Sequence, residues 1–287
     1  MQYNFCPKCG NKVPANSAFC PTCGYRLIDN ADNQTQQEQA QPQFQNMNIN
    51  DNYNVNAQTV HQPLNRSFAD TGVNGFLKQM YGWLFMSLLI AGVCAYIGSS
   101  FAILMNPWVM IGLCILGYIP MIMTYKNAMV NPSKAIGSLI VFAVIDGFSL
   151  SSIFVIYTGQ NLAAAFISSS AIFGIMSLIG ITTHRDLAKL GTQLFGATIA
   201  LLVAMIINIF LRSPAIAMFL SLGGVVIFSG LSIYDTHTAI KLYNHYRDND
   251  TTTAKGIAIM GALSLYIDFE NLFIFILDII SDFTNNN

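Results

Sequence analysis

Four acidic residues stand inside apolar sequence where a charge is expensive. Asp268 and Glu270 lie within Gly261-Ala-Leu-Ser-Leu-Tyr-Ile-Asp-Phe-Glu-Asn-Leu-Phe273, Asp235 closes Gly223-Gly-Val-Val-Ile-Phe-Ser-Gly-Leu-Ser-Ile-Tyr-Asp235, and Asp146 interrupts a third apolar run. An ionisable side chain at bilayer depth marks an ion path, a proton relay or a paired buried site. Two carboxyls that meet in a low-dielectric interior cannot both ionise cheaply, so they share a proton. On losing it they repel each other or take up a hard cation, and oxygen ligands of this kind suit calcium.

Each acid also has a plainer reading. Asp235 can be an interfacial residue at a helix end, hydrogen-bonded by Tyr234, Thr236 or His237. Asp146 is either a pathway residue or a hydrogen-bond partner of Ser149 or of another helix's hydroxyl. Glu270, two residues from Asp268, points to a nearly opposite helix face. It can pair with Asp146, contact another helix or form a separate protonatable site.

A second kind of chemistry lies at the N-terminus. Cys6-Pro-Lys-Cys9-Gly and Cys20-Pro-Thr-Cys23-Gly are two thiolate knuckles ten residues apart. Four thiolates so arranged can close a tetrahedron around structural zinc, and in so short a segment the metal would supply most of the folding free energy. Rubredoxin-type iron sites use similar knuckles at wider separation, and a redox sensor that ejects zinc is the functional alternative. Cys94 and Cys114 fall in apolar runs and read as small packing residues.

The elements that must position these groups follow from composition. Of the 287 residues 53% are hydrophobic and 9% charged, against about a quarter charged in soluble domains. Residues 1–28 form the cysteine module, residues 29–70 are a Gln/Asn-rich stretch that reads as a disordered tether, and residues 71–287 read as an all-α membrane domain. Apolar runs long enough to cross a bilayer predict seven spans, at about 79–98, 108–125, 136–156, 162–181, 191–211, 215–237 and 257–279. The fold expected is a seven-transmembrane-helix bundle carrying a small N-terminal zinc ribbon with four cysteine ligands.

Orientation follows from the cations. Lys126 and Lys134, Arg185 and Lys189, and Lys241, Arg247 and Lys255 occupy alternate loops, while the other set holds only Arg212. The positive-inside rule then puts the N-terminus in the cytoplasm. Small residues every fourth position on span five, Gly196, Ala200 and Ala204, and at a similar spacing on span four, Gly174, Ser177 and Gly180, predict close helix approach. Asp186, in a cytoplasmic turn, reads as a helix cap.

Several function classes drop out. The net charge of −1 with scattered cations gives no nucleic-acid footprint. Gly147-Phe-Ser149 has the G-x-S form of intramembrane serine proteases, but no histidine falls inside a span to act as base, so no enzyme is expected.

Four stretches together resemble the Bax inhibitor family of membrane proteins: Ile145-Asp-Gly-Phe-Ser-Leu-Ser-Ser-Ile-Phe-Val-Ile-Tyr157, Thr183-His-Arg-Asp-Leu-Ala-Lys-Leu-Gly191, Phe228-Ser-Gly-Leu-Ser-Ile-Tyr-Asp235 and Gly261 to Phe273. The resemblance covers about residues 75–280. Its hallmark is the Leu-Tyr-hydrophobic-Asp-Phe-x-Asn-Leu-Phe run, in which this chain departs by placing Glu270 where an apolar residue is usual. The resemblance implies a bundle with its last helix central, and a pH-sensitive calcium leak sensed by aspartates of helices six and seven, which map onto Asp235 and Asp268. It implies a bacterial cytoplasmic membrane location. Bacterial relatives are also linked to regulation of membrane proteolysis, so the alternative is a regulatory protein that binds a cytoplasmic partner through its zinc ribbon.

Overall fold

The computed structural model describes residues 72–246 and 251–285, with the side chains of residues 251 and 285 left aside. The zinc-ribbon cysteines Cys6, Cys9, Cys20 and Cys23 and the 29–70 stretch lie outside the described residues. All the regular structure described is helical: α1 (Gly72–Gly98), α2 (Pro107–Ala128), α3 (Pro132–Ser149), α4 (Ile153–Ile156), α5 (Gly159–Thr182), α6 (Ala188–Leu211), α7 (Pro214–Tyr246) and α8 (Thr251–Asn285). A 3₁₀ turn, Leu150–Ser152, joins α3 to α4 into one interrupted rod.

Short polar turns set the helix starts. Asn106 caps α2 by accepting from Trp108 N–H, Asn131 caps α3 by accepting from Lys134 N–H, and Thr158 caps α5 by accepting from Asn161 N–H. Pro107 and Pro132 occupy the first helical positions, where the missing N–H costs nothing. Arg212, in the left-handed region at φ 50°, ends α6 before Pro214 opens α7.

Six rods are long and apolar enough to cross a membrane: α1, α2, the α3–α4 rod, α5, α6 and α7. The seventh expected span, α8, is not among those six; Asp268 and Glu270 fall in its apolar middle. It is instead the most enclosed helix of the bundle. Ile257, Ile259, Leu263, Leu265, Tyr266, Leu272 and Leu277 are all at most 1% exposed. Its neighbours are α1 through Met80 at Gly261, α2 through Ala128 at Gly256, α3 through Phe142 on Tyr266, α5 through Phe166 and Phe173 on Phe269, and α7 through Phe228 on Phe275.

Glycine permits the closest of these approaches. A Cβ on Gly256 would lie 2.6 Å from the carbonyl carbon of Ala128, and one on Gly147 would lie 2.8 Å from Ala91 Cα. The helices there meet backbone to backbone, as small residues allow in membrane bundles.

Three expectations need correcting. The stripe Gly196, Ala200 and Ala204 of α6 opens no close approach among the described residues: Gly196 has no atom within 4 Å of where its Cβ would stand, and only Gly191 and Leu201 of that helix are buried. The pattern on α5 is used in part, since a Cβ on Gly180 would lie 2.7 Å from Ile233 O and Ser177 is buried, whereas one on Gly174 would meet nothing within 4 Å. The sixth span continues nine residues beyond residue 237 to Tyr246, because Thr236-His-Thr-Ala-Ile-Lys-Leu-Tyr-Asn-His keeps helical packing with Ala239 and Tyr243 buried although its other face is polar.

Candidate functional site

Antiparallel packing of α7 on α8 brings the first acid pair together. Phe275 fills the space over Gly224, and Ala239 lies against Gly261. In that register Asp235 and Asp268 fall within about one helical turn of each other along the seam. Their carboxyls interact electrostatically. Asp268 is 3% exposed, and its Oδ2 has no hydrogen-bond partner among the described residues. Asp235 is not at a helix end, being eleven residues, about 16 Å, inside the end of α7. Tyr234, Thr236 and His237 give it no hydrogen bond; the Thr236 hydroxyl lies 3.4 Å from that of Tyr81.

Hydroxyls stand near this pair. Tyr125 of α2 and Ser264 of α8 join at 3.0 Å, and the Tyr125 hydroxyl senses both Asp235 and Asp268. Sequence reasoning passed over Tyr125 and Ser264. Ser264 lies four residues before Asp268, one turn away on the same face, and that spacing was the available signal.

The second pair is Asp146 with Glu270. Both acids line one cleft, and the Tyr266 hydroxyl donates to Asp146 Oδ2 at 2.5 Å. Of the alternatives for Glu270, the structure favours the first, setting it beside Asp146 in one cleft. Asp146 is held by another helix's hydroxyl rather than by Ser149, whose own hydroxyl donates to Ile145 O at 3.0 Å. Tyr266 and Glu270 are an i, i+4 pair, which presents both to α3. Asp268 sits about 200° around α8 from Glu270, so one helix carries two acid pairs on opposite faces.

Glu270 lines two clefts. One, of about 250 Å³, lies between α2, α3 and α8 and includes Cys114, Tyr118, Asp146 and Glu270. The other, of about 150 Å³, is almost wholly apolar and is formed by α1, the α3–α4 rod, α5 and α8. Cys114 is an exposed wall residue of the first cleft rather than a packing residue.

A third polar contact was missed altogether. Tyr157, just after α4, donates to Asp278 Oδ1 of α8 at 2.6 Å. At the other end of the bundle Asp186 behaves as the sequence suggests. It accepts from Ala188 N–H at the start of α6 and pairs with Lys241 of α7 at 3.3 Å. The hydrogen bond from Lys241 holds the Asp186 carboxyl below the ordinary aspartate range. Among the described residues no three His, Cys, Asp or Glu side chains converge to hold a metal ion.

Six apolar rods packed with one acid-bearing helix define an integral membrane protein of the all-helical class. Sequence comparison gives the family. The family described as "Inhibitor of apoptosis-promoting Bax1" matches residues 73–285, and a zinc-ribbon domain matches residues 5–27. The chain belongs to the Bax inhibitor family. It is 33% identical over 215 residues to the "Inner membrane protein YbhL" of Escherichia coli strain K12, covering 72% of this chain and 92% of that protein. An uncharacterized protein of Caulobacter vibrioides is 34% identical over 222 residues, 72% of this chain and 88% of that one. An uncharacterized membrane protein of Streptococcus pyogenes serotype M3 is 33% identical over 218 residues, 74% and 94% respectively.

Proposed function

We propose that this protein is a pH-sensitive cation leak pathway, conducting calcium across a bacterial cytoplasmic membrane, with α8 as its seventh span and Asp235 and Asp268 as its gate. The observation that carries the reading is Asp268. A carboxyl so deeply buried, with one oxygen unpartnered and a second acid beside it, is tolerated by a shared proton or by a cation. Sharing the proton holds α7 and α8 together. Losing it sets two anions against each other, which parts the seam and offers oxygen ligands to a hard cation. Flux therefore rises with pH. Asp146 and Glu270 supply further polar surface in the interior. Outside the bundle, Cys6, Cys9, Cys20 and Cys23 would hold structural zinc in the cytoplasmic ribbon.

The test is calcium entry into liposomes containing the purified full chain, from pH 5 to 8, beside Asp235→Asn and Asp268→Asn. The expected result is flux that rises with pH in the parent and loses that dependence in both variants. Flux absent at every pH from correctly folded protein would sink the leak reading.

The zinc-ribbon match at residues 5–27 favours a second reading, a regulatory protein whose ribbon binds a cytoplasmic protein partner. That reading gains if the bundle passes no ions and the isolated ribbon sequence captures one specific protein.

A further inference from the structure

Asp146 of α3 and Glu270 of α8 line one cleft whose lining holds no Lys, Arg or His, and two carboxyls so placed do not both ionise cheaply, so they share a proton. That proton is the link between α3 and α8 at this level. We propose that Asp146 and Glu270 form a proton switch separate from Asp235 and Asp268, whose bound proton ties α3 to α8 and whose release opens the cleft between α2, α3 and α8 to water.

Geometry gives the switch its parts. The Tyr266 hydroxyl, donating to Asp146 Oδ2, marks Asp146 as the acceptor and Glu270 as the proton carrier. The cleft of about 250 Å³ beside the pair is large enough to admit water. The proton therefore leaves Glu270 for water entering this cleft, and two anions remain facing each other across the α3–α8 contact. The groups that face the pair are weak acids or neutral: Cys114 and Tyr118 from α2, and Tyr266 from α8, which itself senses Cys94 of α1. Neither cleft that Glu270 lines contains a Lys, Arg or His to neutralise it. On the opposite side the lining from α1 and α5 is apolar, including Leu88, Ala91 and Phe166. The route assigned to water is therefore the α2 side, where Cys114 and Tyr118 are exposed.

This switch goes beyond the leak reading and stands whether or not ions pass. Its two carboxyls face away from Asp235 and Asp268 around α8, so the two pairs can be addressed separately. The chain has two glutamates, Glu38 and Glu270, which makes the proton carrier accessible to isotopic labelling.

The experiment is infrared difference spectroscopy of the full chain in lipid, titrated from pH 5 to 9, in an Asp235→Asn/Asp268→Asn background that silences the other pair. A protonated-carboxyl stretch should be present at the acid end and fade as pH rises. It should move to lower frequency when glutamate carries ¹³C at its side-chain carboxyl, vanish in Glu270→Gln, and shift when Tyr266→Phe removes the donor to Asp146. The labelling arm uses no substitution at the pair, so it decides the matter even if Glu270→Gln folds poorly. A band indifferent to glutamate labelling, or no band at any pH, would overturn the proposal.

Discussion

Helices α6 and α8 invert the usual relation between polarity and burial. α6 has no charged residue between Lys189 and its end, yet only Gly191 and Leu201 are buried. α8 carries four acids after residue 267, yet its middle is packed against α1, α2, α3, α5 and α7. In water the apolar helix would be the hidden one. In a bilayer, lipid is as apolar as Leu, so composition reports who the neighbour is: a helix facing lipid must be apolar, and only a helix facing protein can carry carboxyls.

If that contrast is right, the two helices should answer the same substitution differently. Leu265→Ala, at a site with no exposure, should cost about 2–5 kcal/mol through the cavity it leaves, whereas Ile206→Ala on α6, 56% exposed, should stay within about 0.5 kcal/mol. Thermal midpoints in one detergent compare them, and equal losses would break the contrast.

A smaller effect comes from adding volume. Gly256→Val on α8 would force its side chain into the Ala128 carbonyl and should destabilise by about 1–3 kcal/mol. Gly196→Val on α6, which meets nothing within 4 Å, should leave the midpoint where it was. A large loss at Gly196 would reveal a partner helix packed on α6.

The succession of spanning rods that leads to α8 also fixes which loops share a side of the membrane. Val130, 80% exposed between α2 and α3, and Phe101, 52% exposed between α1 and α2, should be labelled from opposite sides when each is changed to Cys, with Val130 cytoplasmic. Labelling of both from one side would remove a span.

The smallest effect is expected at Asp186, which ties the start of α6 to α7 at the surface. Its carboxyl is held below the ordinary aspartate range by Lys241, so its contribution is present at neutral pH and disappears as pH falls below that range. Asp186→Asn should lower the midpoint only slightly at pH 7 and leave it unchanged at the acid end, which flattens the acid side of the stability profile. The pair is exposed and screened by solvent.

The acids themselves were legible because a lone charge in an apolar run is costly in a membrane and so stands out. Their grouping was legible in part. The opposite faces of Asp268 and Glu270 follow from two-residue spacing, but no local rule selects α3 as the partner of Glu270, since that depends on which helices adjoin α8. Tyr266 and Tyr125 were hidden because tyrosine in a span also reads as packing or as an interfacial anchor. The small-residue stripe of α6 misled, because periodicity shows where a close approach is permitted and not whether a neighbour arrives. Asp235 was misplaced at a helix end because apolar runs stop where lipid stops, while the helix itself continues to Tyr246.

The two contacts that set the α7–α8 register bracket the Asp235–Asp268 pair. Phe275 sits over Gly224 on one side of it and Gly261 sits against Ala239 and Met80 on the other, fourteen residues apart on α8 and so about 21 Å. A beam pinned at two points cannot slide. Charge separation at the pair must therefore appear as a bow of the segment between the pins or a roll about their common line, and the mouth it opens is confined to that span of the seam.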